Sequence, residues 1–201
     1  MSRRMQDKEK AEMIKNVMLE TRAEPYTIGS EYDSFSRSTV DCDQVYENLF
    51  IGDRNAAMSK PFLRMSGITH IVNTAEGSGF GMVNTDEDYY KKLGIQYMGL
   101  HLMDLSVTNV LKHFEAVANF IDEALRNKGK VLVHCYMGMS RSAIFTLAYL
   151  VLKRNMSACD AMACVRKRRN IHPNDGFLEQ LAVLDNKLMR RTSIDCGNAS
   201  Y

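Results

Sequence analysis

The chain has 201 residues, 45% of them hydrophobic and 25% charged, with 26 Lys and Arg against 24 Asp and Glu. That length suits one domain that buries its own core, and a net charge of +2 excludes the large positive excess of a dedicated nucleic-acid binder. No apolar run reaches the ~18 residues of a membrane span, Met1–Lys10 lacks a signal's apolar region, and five cysteines, an odd count, read as thiols in a reducing compartment.

The expected location is therefore the cytoplasm or the nucleus, with no nucleic-acid or membrane partner. The near-neutral total hides two regions. Glu31–Asp53 holds six acids against Arg37, and Arg141–Asn170 holds seven bases against Asp160.

In chain order, Glu9–Arg22 has Met13, Ile14, Val17 and Met18 at helical spacing. This amphipathic helix either packs on the flank of the domain or docks a partner. Gly29–Thr39 is Ser-rich and polar, and reads as a loop or linker. Leu49–Ile51, Thr69–Val72 and Tyr97–Leu102 are short apolar runs closed by turn or polar residues, hence strands. Asp86, Glu87 and Asp88 fall in a polar loop. Val110–Leu125 carries a strong helical stripe that stops at Gly129. Val131–Val133 is a buried strand, followed by a helix over Arg141–Leu152. Ser157 and Asn174 cap two further helices, Ala158–Arg168 and Asp175–Leu188. Strands alternating with helices predict an α/β fold with a central, mostly parallel sheet flanked by helices. Ligands of such folds bind beyond the carboxyl ends of the strands.

Two features stand at strand ends: Asp104 and the segment His134–Ser142. The segment HCYMGMSRS joins a strand to a helix through a loop containing Gly138. Such a junction turns several backbone N–H groups into one concavity, with a helix dipole behind them. Cys135 at the loop's entrance would be a thiolate nucleophile, because that environment lowers a thiol's pKa. Arg141 at its exit offers paired donors for two phosphate oxygens. Ser140 and Ser142 put hydroxyls near the sulfur, and one of them could stabilise a departing thiolate. Tyr136, Met137 and Met139 line the mouth. The bare Cys-x5-Arg spacing arises by chance about 0.35 times in such a chain. Adding the flanking His, Gly and Ser lowers that to roughly 6 × 10⁻⁵. Cys42, Cys159, Cys164 and Cys196 lack such a loop and read as inert.

The segment resembles the HCxxGxxRS signature of the cysteine-dependent protein tyrosine phosphatases. RKRRNIHPNDGFLEQL is similar to the small, atypical dual-specificity branch, as are VYENLFIGD and THIVNTAEG, and the resemblance runs from about Thr39 to Leu188. It implies a catalytic domain over 39–190, after an N-terminal helix and linker (1–38) and before a tail (191–201). It further implies metal- and cofactor-free hydrolysis of phosphotyrosine and phosphoserine or phosphothreonine through a cysteinyl-phosphate.

Asp104, about thirty residues before Cys135, matches the family's general acid; a helix cap is the alternative. Asn174 caps its helix and, by resemblance, touches the phosphate loop. Arg169 matches an arginine that borders the pocket and meets a second phosphate, which would suit doubly phosphorylated proteins. Read from the residues alone, Arg166–Arg169 is a solvated helix end favoured by the dipole, a second-phosphate or acidic-substrate site, or, as the weakest of the three readings, a nuclear import patch. His134 either holds the loop and biases Cys135 toward thiolate or makes only structural contacts; neither makes it a base. Three functional alternatives stand: a phosphoinositide phosphatase, an RNA phosphatase, or a phosphoprotein-binding pseudophosphatase. The loop holds no lysine for extra phosphates.

Overall fold

The structure is a computed structural model that describes residues 2–23 and 40–197, with side chains up to residue 190. The polar loop expected at Gly29–Thr39 and the side chain of Cys196 lie outside the described residues.

Among the described residues five strands form one sheet: β1 (Cys42–Tyr46), β2 (Leu49–Gly52), β3 (His70–Asn73), β4 (Gln96–Gly99) and β5 (Val131–His134), in the order β1-β2-β5-β3-β4. Only β1 and β2 pair antiparallel; the other three pairings are parallel. The sheet is mostly parallel and flanked by helices, as the alternation of elements predicts. Strand β5 lies at its centre and is buried along its whole length. Side chains alternate across a strand. Val131 and Val133 therefore enter one core, and Leu132 enters the other.

The larger core lies under the helices that follow the middle of the chain: α5 (Phe114–Arg126), α6 (Arg141–Arg154), α7 (Ala158–Arg166) and α8 (Asp175–Gly197). Helix α6 is buried from Arg141 to Val151, because α5, α7 and α8 surround it. The N-terminal helix α1 (Arg3–Glu20) packs against α7 and α8 and buries Ile14 and Met18 completely. Of the two readings of that helix, the packed one describes its inner face. No helix among the described residues is long and apolar enough to cross a membrane.

The smaller core is covered by three short helices: α2 (Arg54–Met58), α3 (Lys60–Ser66) and α4 (Glu87–Lys91). The sequence pattern predicts none of them, because five to seven residues are too few to show a helical period. Their starts are nevertheless written in the sequence. Asp53, Ser59 and Asp86 each accept a hydrogen bond from a backbone N–H of the first turn. The Asp86–Asp88 stretch is thus a helix start and not a polar loop. Strand β4 is shorter than expected. After Gly99 the Leu100 N–H still bonds Asn73 O, but the chain then leaves the sheet for the loop that carries Asp104.

Candidate active site

Cys135 follows directly on β5 and is only 2% exposed. The loop after it curls so that the Gly138 N–H donates to Sγ at 3.2 Å, while the Ser142 hydroxyl stands 3.4 Å from the sulfur. Burial pushes the thiol up, but other groups outweigh it: the Ser142 hydroxyl and amide, the Arg141 charge and the Met139 amide. The result is a thiol held below its ordinary range, the condition for a nucleophile. Gly138 makes the curl feasible. Its φ is +68°, and a Cβ there would lie 2.6 Å from Gly52 O and 2.7 Å from the Arg169 Nη2. Any other residue would be strained and would collide.

Arg141 opens α6 with its guanidinium buried. Nη1 donates to Leu102 O at 3.0 Å and Nη2 to Gly81 O at 2.8 Å. These carbonyls aim the planar group while Nε, buried and without a hydrogen-bond partner among the described residues, lies 3.7 Å from Asp104 Oδ2. A buried unpaired N–H is costly, and a phosphate oxygen would satisfy it.

Asp104 caps no helix. The turn after Val110 is held instead by Gln180, whose Oε1 accepts from the Val110 and Leu111 N–H groups at 2.8 and 2.9 Å. Asp104 Oδ1 accepts from the Ser140 hydroxyl at 2.7 Å and from Asn174 Nδ2 at 2.8 Å. The two serines near the sulfur in sequence thus separate in space: Ser142 faces the sulfur, and Ser140 faces the carboxylate. Asn174 does both things expected of it. Its Oδ1 accepts from the Phe177 N–H at 3.1 Å as a cap, and its own N–H reaches Ser140 Oγ at 3.4 Å. One cleft of about 620 Å³ is lined by Cys135, Arg141, Asp104 and Ser140, with Tyr136, Met137 and Met139 among its walls.

His134 is fully buried. Burial lowers its pKa to about 4, so the ring is neutral at pH 7, and among the described residues its one hydrogen bond, 3.4 Å, involves Cys135 O. It offers the thiolate no positive charge.

Arg169 differs from the expectation. It is 5% exposed and does not line the cleft. Its Nη1 reaches Asp41 Oδ1 at 2.8 Å and Asp43 Oδ2 at 2.6 Å, and its Nη2 reaches Asp41 Oδ2 at 2.7 Å. Nε donates to Gly138 O at 2.8 Å. The guanidinium's donors are engaged by two carboxylates and the back of the phosphate loop. Arg166 is similarly committed: Nε donates to Met18 O and Thr21 O at the end of α1, at 2.9 and 3.1 Å. Only Lys167 and Arg168 of the basic run are exposed.

Sequence reasoning missed Asp41, Asp43 and Gln180, as well as the carbonyls of Gly81 and Leu102 that aim Arg141. None has a local signal, since each acts on a residue dozens of positions away.

The sequence profile of the family described as the dual specificity phosphatase catalytic domain matches residues 49–187. The chain is 44% identical over 151 residues to dual specificity protein phosphatase 13B of Homo sapiens, an alignment covering 75% of each chain, and the Mus musculus protein matches equally. Among solved structures, human DUSP28 superposes with a TM-score of 0.64 at 27% identity, covering 78% of this chain and 99% of that one. The human tyrosine phosphatase-like serine/threonine/tyrosine-interacting protein gives 0.62 at 32% identity, covering 74% and 98%. With its phosphate loop at the end of a central parallel strand and this degree of likeness, the chain belongs to the dual specificity phosphatase family.

Proposed function

We propose that the protein hydrolyses phosphotyrosine and phosphoserine or phosphothreonine in proteins, with Cys135, Arg141, Asp104 and Ser142 carrying the chemistry. The observation that carries this assignment is a low-pKa thiol, an aimed guanidinium and a carboxylate in one cleft. The Cys135 thiolate attacks phosphorus and forms the S–P bond as the P–O bond to the substrate breaks. Asp104, in its acid form, gives its proton to the leaving oxygen. Backbone amides of the loop and the Arg141 fork hold the three other oxygens as charge gathers on them. Water then attacks the cysteinyl-phosphate and yields a proton to the Asp104 carboxylate. The S–P bond breaks, and the Ser142 hydroxyl receives the returning thiolate. Ser140 and Asn174 keep the Asp104 carboxylate facing the cleft, so they are positioning residues.

Phosphorylated proteins are the substrates. A preference for doubly phosphorylated ones has no anchor in Arg169, whose donors are already taken. The lysine-free loop supports a protein substrate over a phosphoinositide or an RNA 5′-end. The test is turnover of para-nitrophenyl phosphate and of phosphopeptides. Cys135→Ser should lose on the order of 10³-fold or more in kcat while still binding phosphopeptide. Asp104→Asn should lose roughly 10²–10⁴-fold in kcat, with little change in binding. Undiminished turnover by Cys135→Ser would remove the assignment.

A further inference from the structure

Around the polar floor of the cleft stands a wall of another character. Phe80 is 98% exposed, Met137 61%, Leu105 53% and Met103 47%, and all four line the cleft mouth. They come from three separate segments: the loop after β3, the Asp104 loop and the phosphate loop. Exposed single hydrophobic residues are ordinary, whereas a cluster rimming a polar site marks a contact surface. A phenyl ring standing almost wholly in water gains nothing for the fold of the chain.

The charges nearby narrow the occupant. No lysine lines the mouth. Arg54, beside it, is engaged: its guanidinium lies 4.5 Å from the centroid of the Tyr136 ring and donates to that tyrosine's hydroxyl. Arg169 is held by Asp41 and Asp43. An acidic flank on the substrate would find one exposed cation at the edge, Arg54, already laid on the Tyr136 ring, while an apolar flank would find four side chains around the mouth. The rim is continuous with the phosphate cradle, so its occupant is the same molecule that delivers the phosphate. An anionic membrane surface would call for a basic ring around the mouth, which these residues do not supply.

We propose that Phe80, Met103, Leu105 and Met137 form an apolar rim that selects phosphorylated protein segments carrying aliphatic or aromatic residues beside the phosphorylated one. The proposal rests on the phosphatase reading above and adds the sequence class of its substrate. Burial of apolar area between rim and flank supplies the discrimination.

The experiment compares kcat/KM on phosphotyrosine peptides flanked by Leu, by Ser and by Glu, with para-nitrophenyl phosphate as a substrate that has no flanks. The wild type should favour the Leu-flanked peptide over the Glu-flanked one by roughly tenfold. Phe80→Ser and Leu105→Ser should each shrink that preference several-fold. Phe80 is so exposed that Phe80→Ser leaves the core untouched. Turnover of the flankless substrate tests the phosphatase reading separately. If that turnover is brisk but the three peptides react alike, the rim proposal is wrong and the activity stands. Sedimentation with neutral phosphatidylcholine vesicles, abolished by Phe80→Ser, would overturn the proposal in favour of a lipid surface.

Discussion

Replacing Arg169 by alanine separates two roles that its position in the sequence cannot. In the structure its guanidinium bridges β1 to the phosphate loop, through Asp41, Asp43 and Gly138 O. Removing one partner of a buried pair costs about 3–5 kcal/mol when the remaining charge stays buried. Here the Asp41 side chain is 64% exposed and would rehydrate, whereas that of Asp43 is only 24% exposed. The cost should therefore be nearer 2–3 kcal/mol, or roughly 5–10 °C in Tm for a chain of this size. The loop would also lose the clamp behind Gly138. A misplacement of about 1 Å at a reacting centre can cost on the order of 10²-fold in rate. Chemical denaturation, together with kcat/KM on para-nitrophenyl phosphate and on singly and doubly phosphorylated peptides, reads both effects. All three substrates should suffer by a similar factor. Arg169→Lys should fall between wild type and alanine, since an ammonium keeps the charge but lacks the planar fork. A variant with wild-type stability and wild-type aryl phosphate turnover, defective only on doubly phosphorylated peptides, would refute this account and restore the second-phosphate role.

Two further outcomes follow from the ionisation of buried groups. Cys135 is held below the ordinary thiol range, whereas burial pushes Cys42 up to about 12 and also raises Cys159 and Cys164. Limited iodoacetamide at pH 7, followed by peptide mass spectrometry, should label Cys135 ahead of those three and inactivate in parallel; equal labelling of Cys42 would contradict it. His134 is lowered to about 4 by burial against an ordinary 6.5, so the unfolded chain binds the extra proton between those values. Stability from this group is complete above pH 6.5 and is lost on acidification toward pH 4, at up to about 1.4 kcal/mol per pH unit. Between pH 7 and pH 5 the wild type should therefore lose more urea resistance than His134→Asn, and an equal loss in both would contradict a buried neutral ring.

The sequence by itself determined the phosphate loop, because every part of it is local. Nucleophile, glycine, guanidinium and helix start lie within one strand-turn-helix, and their spacing fixes how they can meet. The alternation of apolar strands and amphipathic helices likewise determined a mostly parallel sheet with that loop at a strand's end, since burial dictates which residues face inward. The short helices α2, α3 and α4 escaped because too few residues show a period, although their capping aspartates and serine were in plain view.

Only the tertiary structure decided what depends on partners far apart in the chain. Ser140 and Ser142 are two residues apart and look alike, yet packing against Asn174 and Asp104 sends one to the carboxylate and leaves the other at the sulfur. Arg169 is one of a run of four bases in the sequence, and only the fold sets it between Asp41 and Asp43. A charge is legible in a sequence, but the charge that satisfies it is not, because electrostatic pairing depends on distance in space. The apolar rim is likewise a product of the fold, which gathers three loops around a thiol that the sequence had already singled out.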